Sequence, residues 1–151
     1  MELATAFFAD SVIVQDGKFY AWGGGIDTTY AAAFPAHTNF SLVVRVAFDP
    51  SECGQAHKLE VNVIDEDGKP YGPGSMPPVS MPPQAILPQK DAADGTLSVS
   101  YSTVLGFQGF PFDKPCKVVF SIVVDRRVIG SITYRAVQMV QAPAPGWHSQ
   151  S

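Results

Sequence analysis

The sequence predicts an all-β protein, an antiparallel sandwich of about seven to eight strands with immunoglobulin-like or similar topology. Three observations carry that expectation. Apolar residues recur with a period of two along most of the chain. Gly, Pro and Asp separate those runs at short intervals. Thirteen glycines and thirteen prolines leave little uninterrupted chain for helices. A closed barrel is the alternative architecture. The 151 residues suit one domain, read as 1–140, with a polar, proline-rich tail over 141–151.

The elements follow in order. Residues 3–14 read apolar nearly throughout, as a central strand does. Asp16-Gly17 is a hairpin signal that leads into a short strand, Lys18 to Trp22. Gly23, Gly24 and Gly25 end that strand as a structural turn, with positive φ expected for at least one. "TTYAAAF", Thr28 to Phe34, offers a helical turn stopped by Pro35. Residues 39–49 place Phe40, Leu42, Val44, Val46 and Phe48 on one face. Residues 57–65 turn Leu59, Val61 and Val63 inward, and Asp67-Gly68 reverses the chain.

Residues 70–95 interrupt the alternation, and seven of the nineteen residues over 70–88 are proline. They read as an extended loop crossing between the sheets, or as a PxxP-type ligand for another domain. Alternation resumes with Leu97, Val99, Tyr101 and Leu105. It continues with Val118, Phe120, Ile122 and Val124, then with Ile132, Tyr134 and Ala136.

Composition narrows the function classes. Charged residues make up 16%, against a usual ~25%. The uncharged surface this implies is covered by small polar residues or by another subunit. Net charge is −4 and the basic residues form no stripe, so no nucleic-acid partner is expected. No apolar segment is long enough for a membrane span. "MELATAFFAD" carries Glu2 and Asp10 but no basic residue before the apolar run, unlike a signal peptide. A cytoplasmic location is the expectation. Cys53 and Cys116 lie outside any CxxC and read as free thiols, with a single bridge left open.

No catalytic or cofactor-binding constellation emerges. The glycine run is not GxxxxGK[ST] or GxGxxG, and no helix follows to receive a phosphate. No metal site is assigned, and in "DEDGK" Asp65 and Asp67 are the candidates for one. Asp49, Asp65, Glu66 and Asp67 could meet at one rim to bind Ca²⁺. The favoured reading of Asp67-Gly68 is the turn itself. His37, His57 and His148 lack HxxxH or HExxH spacing. A Ser-His-Asp site with members far apart in sequence is left open, although no GxSxG exists. "VLGFQGFPFDKP" places Phe107, Phe110 and Phe112 in a Gly- and Pro-rich loop. Either they fold back over the core, or they form an exposed patch for a partner, and Trp147 is a separate candidate that anchors the tail on its own domain or a neighbour's.

"FFADSVIVQDGKFYAWGGGID" contains the pattern DGK-x(4)-GGG-x-D. It resembles the opening of a bacterial family of small β proteins, a domain of unknown function. "HKLEVNVIDEDGK", the "MPP" stretch and "CKVVFSIVVDRRVIGSITYRAV" follow in that family's order. The resemblance covers most of residues 3–138. That family's last hairpin tends to turn on Asp-Gly, whereas Asp125-Arg126-Arg127 stands here. The resemblance implies a small bacterial β protein and carries over no activity or cofactor. The reading is therefore a non-enzymatic module that binds another protein or a second copy of itself. A small-ligand or Ca²⁺-dependent binding sandwich is the alternative, and a hydrolase stands behind both.

Overall fold

Alternating apolar residues build most of the protein into strands. The computed structural model describes residues 1–16, 18–84 and 99–140. Eleven strands run in the order β1 (Glu2–Ala9), β2 (Ser11–Gln15), β3 (Lys18–Trp22), β4 (Thr28–Ala31), β5 (Ala36–Phe48), β6 (His57–Ile64), β7 (Pro70–Ser75), β8 (Val79–Met81), β9 (Val99–Phe112), β10 (Cys116–Val124) and β11 (Arg127–Gln138). One 3₁₀ turn, Pro50–Glu52, joins β5 to β6, and no α-helix occurs among the described residues. The chain is all-β, with more strands than the seven or eight expected.

Three sheets result. One has the order β1-β5-β9, a second runs β4-β11-β10-β6-β7 with β8 also on β6, and the third is β2-β3. Phe40, Leu42, Val44, Val46 and Phe48 of β5 face Leu59, Val61 and Val63 of β6 and Val118, Phe120, Ile122 and Val124 of β10 in one core. Aromatic rings fill its centre. Phe8 meets Phe40, Phe120 and Tyr134 edge-on at 5.3, 5.0 and 5.1 Å between centroids. Such contacts add about 0.5–1.5 kcal/mol each beyond area burial.

Four local expectations need correction. The apolar run 3–14 is two strands, because Asp10 is exposed and its N–H donates to the Trp22 carbonyl at 3.1 Å. The chain there leaves the first sheet to enter the hairpin. "TTYAAAF" forms no helical turn: Thr28–Ala31 is β4, held parallel to β11 from Arg135 to Gln138. That parallel pair departs from an all-antiparallel fold. The proline-rich stretch is not wholly a crossing loop, since β7 and β8 extend the second sheet along β6. The passage to the first sheet falls between β8 and β9, and residues 85–98, with Leu97, lie outside the described residues.

Candidate interaction surface

The β2-β3 hairpin is a separate two-stranded sheet. Its register sets Val12 against Ala21 and Val14 against Phe19 on one face. The other face pairs Ser11 with Trp22, Ile13 with Tyr20 and Gln15 with Lys18. Val12 and Phe19 of the first face are half-buried over the outer side of the β1-β5-β9 sheet, where β2 touches β5 and β9, whereas Val14 is 46% exposed and Ala21 is exposed. Val43 points outward from β5, away from the core, yet is fully buried beneath the hairpin. Two backbone bonds fix the hairpin's base: Asp10 N–H to the Trp22 carbonyl, and Gly25 N–H to the Phe8 carbonyl at 2.8 Å.

A two-stranded ribbon that buries one face leaves the other to solvent. Here that face carries three large apolar side chains beside Ser11, Gln15 and Lys18. Ile13, Tyr20 and Trp22 are 52%, 47% and 56% exposed. Trp and Tyr are the side chains that most often carry binding energy at protein interfaces. A second exposed group, Tyr30, Val137, Met139 and Val140, lies along the β4-β11 edge. Sequence reasoning passed over both. A signal existed: "SVIVQ" and "KFYAW" are apolar in both phases of the alternation, and a hairpin can bury only one.

The three phenylalanines named from sequence are not on the surface. Phe107, Phe110 and Phe112 are buried core side chains in β9, so they do not form a partner patch. The odd spacing from 107 to 110 is absorbed by a bulge, where Gln108 and Gly109 oppose the single residue Asn39. Gly109 takes φ +60° and its N–H donates to Asn39 Oδ1 at 2.7 Å. The extra residue flips the alternation, so Phe107 and Phe110 both face inward. Trp147 and His148 lie outside the described residues.

Gly23 and Gly25 have φ of +63° and +85°, and the chain reverses there. Gly68 has φ +76° in the turn after β6. Asp65 Oδ1 accepts the N–H groups of Asp67 and Lys69, each at 2.9 Å, and so closes that turn. The acidic residues do not share one rim. Asp49 lies beside the start of β6, where Glu52 contacts His57, while Asp65 to Asp67 follow its far end. No group of three potential metal ligands occurs among the described residues. Cys53 and Cys116 are free. Cys53 lies near the β6 start, beside the end of β10, and Cys116 begins β10, so roughly 25 Å of strand separates them.

The most organised polar cluster surrounds His57, whose ring is 5% exposed. Nδ1 lies 2.7 Å from Asp125 Oδ2 and Nε2 lies 2.8 Å from the Glu52 carbonyl oxygen. Two acceptors flanking one ring suit the doubly protonated imidazolium. Burial opposes the charge, but the hydrogen bonds to Asp125 and Glu52 and their negative charges raise the pKa above the ordinary imidazole value. Asp125 is held below the ordinary carboxylate value, first by its bond from His57, against burial, and then by the Lys58 N–H. Glu52 is likewise lowered, chiefly by its hydrogen bond from the Met1 ammonium. Both ring nitrogens are occupied, so His57 has no free nitrogen for a nucleophile. Among the described residues, neither His37 nor His57 is hydrogen-bonded to a Ser or Cys. The Tyr71 phenol, pushed up to about 12 by burial and its bond from Cys116, stays protonated near neutrality.

Asp125 also shapes the β10-β11 turn. Asp125 and Arg126 form a two-residue loop with φ +48° and +68°. This is the type I′ geometry that favours Asn-Gly or Asp-Gly. Asp125 Oδ1 accepts the Lys58 N–H at 2.9 Å, so one side chain ties the hairpin to the first residues of β6.

The model of the family of unknown function (DUF6941) matches residues 4–137, and the chain belongs to that family. No curated protein matches the chain in sequence.

Proposed function

We propose that this member of the family is a non-enzymatic protein-binding module. We read its two large sheets as a β-sandwich on which the β2-β3 hairpin is mounted as a docking face. The observation that carries the reading is the exposed row Ile13, Tyr20 and Trp22 on a hairpin that is anchored to the sheet beneath through half-buried Val12 and Phe19 of its other face. Such a row gains about 25 cal/mol per Å² when an apolar surface covers it. Trp22 and Tyr20 each keep a polar tip for an acceptor, and Lys18 at the same face suits a carboxylate on the partner.

The test compares the full chain with its Tyr20→Ser/Trp22→Ser variant. Light scattering reports self-association, and affinity capture from the native host reports another protein. The native chain is expected to hold a partner, a second copy or a different protein, that the variant loses. A native chain that is a clean monomer with no retained partner contradicts the reading, as does a partner held equally by the variant.

The alternative is a small-ligand site. An open hollow of about 350 Å³ beside His57 and Asp125, lined also by Lys58, Pro78 and Ser80, favours it. Calorimetry with small anions and with Ca²⁺ separates the two, since heat of binding abolished by Asp125→Asn would support the hollow.

A further inference from the structure

The two large sheets end in five outer strands, with β7 and β8 sharing one edge, and most of that edge is blocked. β1 is interrupted by a bulge between Leu3 and Thr5 and lies against β11. β4 spans only Thr28–Ala31. β7 carries Pro70 and Pro73, with left-handed Gly72 and Gly74 between and after them. β8 spans Val79–Met81 between two Pro-Pro pairs. Bulges, prolines and short strands are the usual means of preventing edge pairing. The second half of β9 is blocked in the same way, by its bulge at Gly109, by Pro111 and by the approach of β7.

The first half of β9 has none of these. Val99 to Leu105 reads VSYSTVL, with no charge, no proline and no glycine. It pairs in unbroken register with β5, from Phe48↔Val99 to Leu42↔Leu105. Among the described residues nothing pairs with its other side. Alternate residues there present N–H and C=O groups to whatever lies alongside.

We propose that this edge pairs with the same edge of a second copy, antiparallel about a two-fold axis through Ser102. The proposal rests on the binding-module reading above and names one partner for it. The stretch is self-complementary in that register. Val99 meets the partner's Leu105 and Tyr101 meets the partner's Thr103 on the core side, while Ser100 meets the partner's Val104 on the outer side. No charge opposes a charge. Arg45, opposite Ser102 on β5 and bonded to Ser100 Oγ at 2.9 Å, stays three strand spacings, roughly 14 Å, from the partner's Arg45, beyond the screening length. A continuous six-stranded sheet, β1-β5-β9 and its symmetry copy, results.

Ser102→Glu tests it. The new carboxylate lies next to Arg45 in its own chain, a favourable cross-strand pair, and directly against the partner's Glu at the two-fold. Sedimentation of the full chain at tens of micromolar is expected to show a native dimer and a Ser102→Glu monomer that remains folded and unfolds cooperatively. Its dimer dissociation constant rises about tenfold or more. Mixing Ser102→Glu with Ser102→Lys is expected to restore a dimer. A native chain that is monomeric, or a Ser102→Glu chain that dimerises like the native one, overturns the proposal. So does a native monomer in which the outward-facing amides over 99–105, those not bonded to β5, resist hydrogen exchange, because the chain would then cover its own edge. These outcomes are separate from those of the Tyr20 and Trp22 variants. A dimer lost only with the hairpin residues would refute the edge and leave the hairpin reading intact.

Discussion

Asp125→Ala is expected to destabilise the protein by about 3 kcal/mol, a large share of a typical 5–15 kcal/mol. The Asp125 side chain is 45% exposed, so solvent screens its charge and its pairing with His57 contributes only modestly as a Coulomb term. Most of the cost lies elsewhere. His57 is buried, and removal of Asp125 leaves its Nδ1–H without a partner, at about 1–3 kcal/mol. The Lys58 N–H loses its carboxylate acceptor, and Ala at φ +48° adds about 1 kcal/mol of left-handed strain. Asp125→Asn keeps an acceptor and a residue tolerant of that φ, so it should cost only about 1 kcal/mol.

The charge component has a defined pH window. His57 has a raised folded pKa, so its contribution is fully present below the unfolded imidazole value and is lost as pH rises through the folded one. Asp125 has a lowered folded pKa, so its contribution is present above the unfolded carboxylate value and is lost as pH falls through the folded one. Urea unfolding of native and Asp125→Ala chains at about pH 5.5 and about pH 9 brackets the loss of the His57 contribution, with Asp125 ionised at both. The difference should be larger at the lower pH. A cost under about 0.5 kcal/mol, or one equal at both pH values, would refute the role assigned to the cluster.

Two further stability changes follow from the turns. Arg126→Gly should stabilise by about 1 kcal/mol, because Arg126 holds φ +68° where glycine is unstrained; equal or lower stability in urea would contradict this. Gly23→Ala should cost about 1 kcal/mol or more, since a Cβ there meets the Asp10 carboxylate at φ +63°, whereas Gly24→Ala, with its nearest neighbour at 3.7 Å, should cost only a few tenths; equal melting temperatures for the two would show that the turn imposes no such demand.

The strands with one wet and one dry face were legible because period two states burial directly. Phe40 to Phe48 and Val118 to Val124 fall on the core face that alternation assigns them. The misreadings share a physical cause. Residues 3–14 are apolar in both phases, and such a run serves a central strand or two strands packed in different layers. Only Asp10, one exposed residue, marks the break. Phe107 and Phe110 sit in opposite phases, and a bulge that spends Gly109 brings both inward. Thr28–Ala31 lacks β-specific patterning and is a strand because β11 offers it a partner. Candidate site residues were less legible still. His57, Asp125 and Glu52 come from three segments, and no local spacing relates them. Exposure of Ile13, Tyr20 and Trp22 depends on which hairpin face finds the sheet.

Hydroxyl-radical footprinting of the full chain, free and in complex with the partner it retains, tests the docking face most directly. Oxidation of Tyr20 and Trp22 should be high in the free chain and fall in the complex, while buried Phe107 and Phe110 stay unreactive in both. Unchanged oxidation of Tyr20 and Trp22 on complex formation would contradict the assignment of the hairpin as the binding surface.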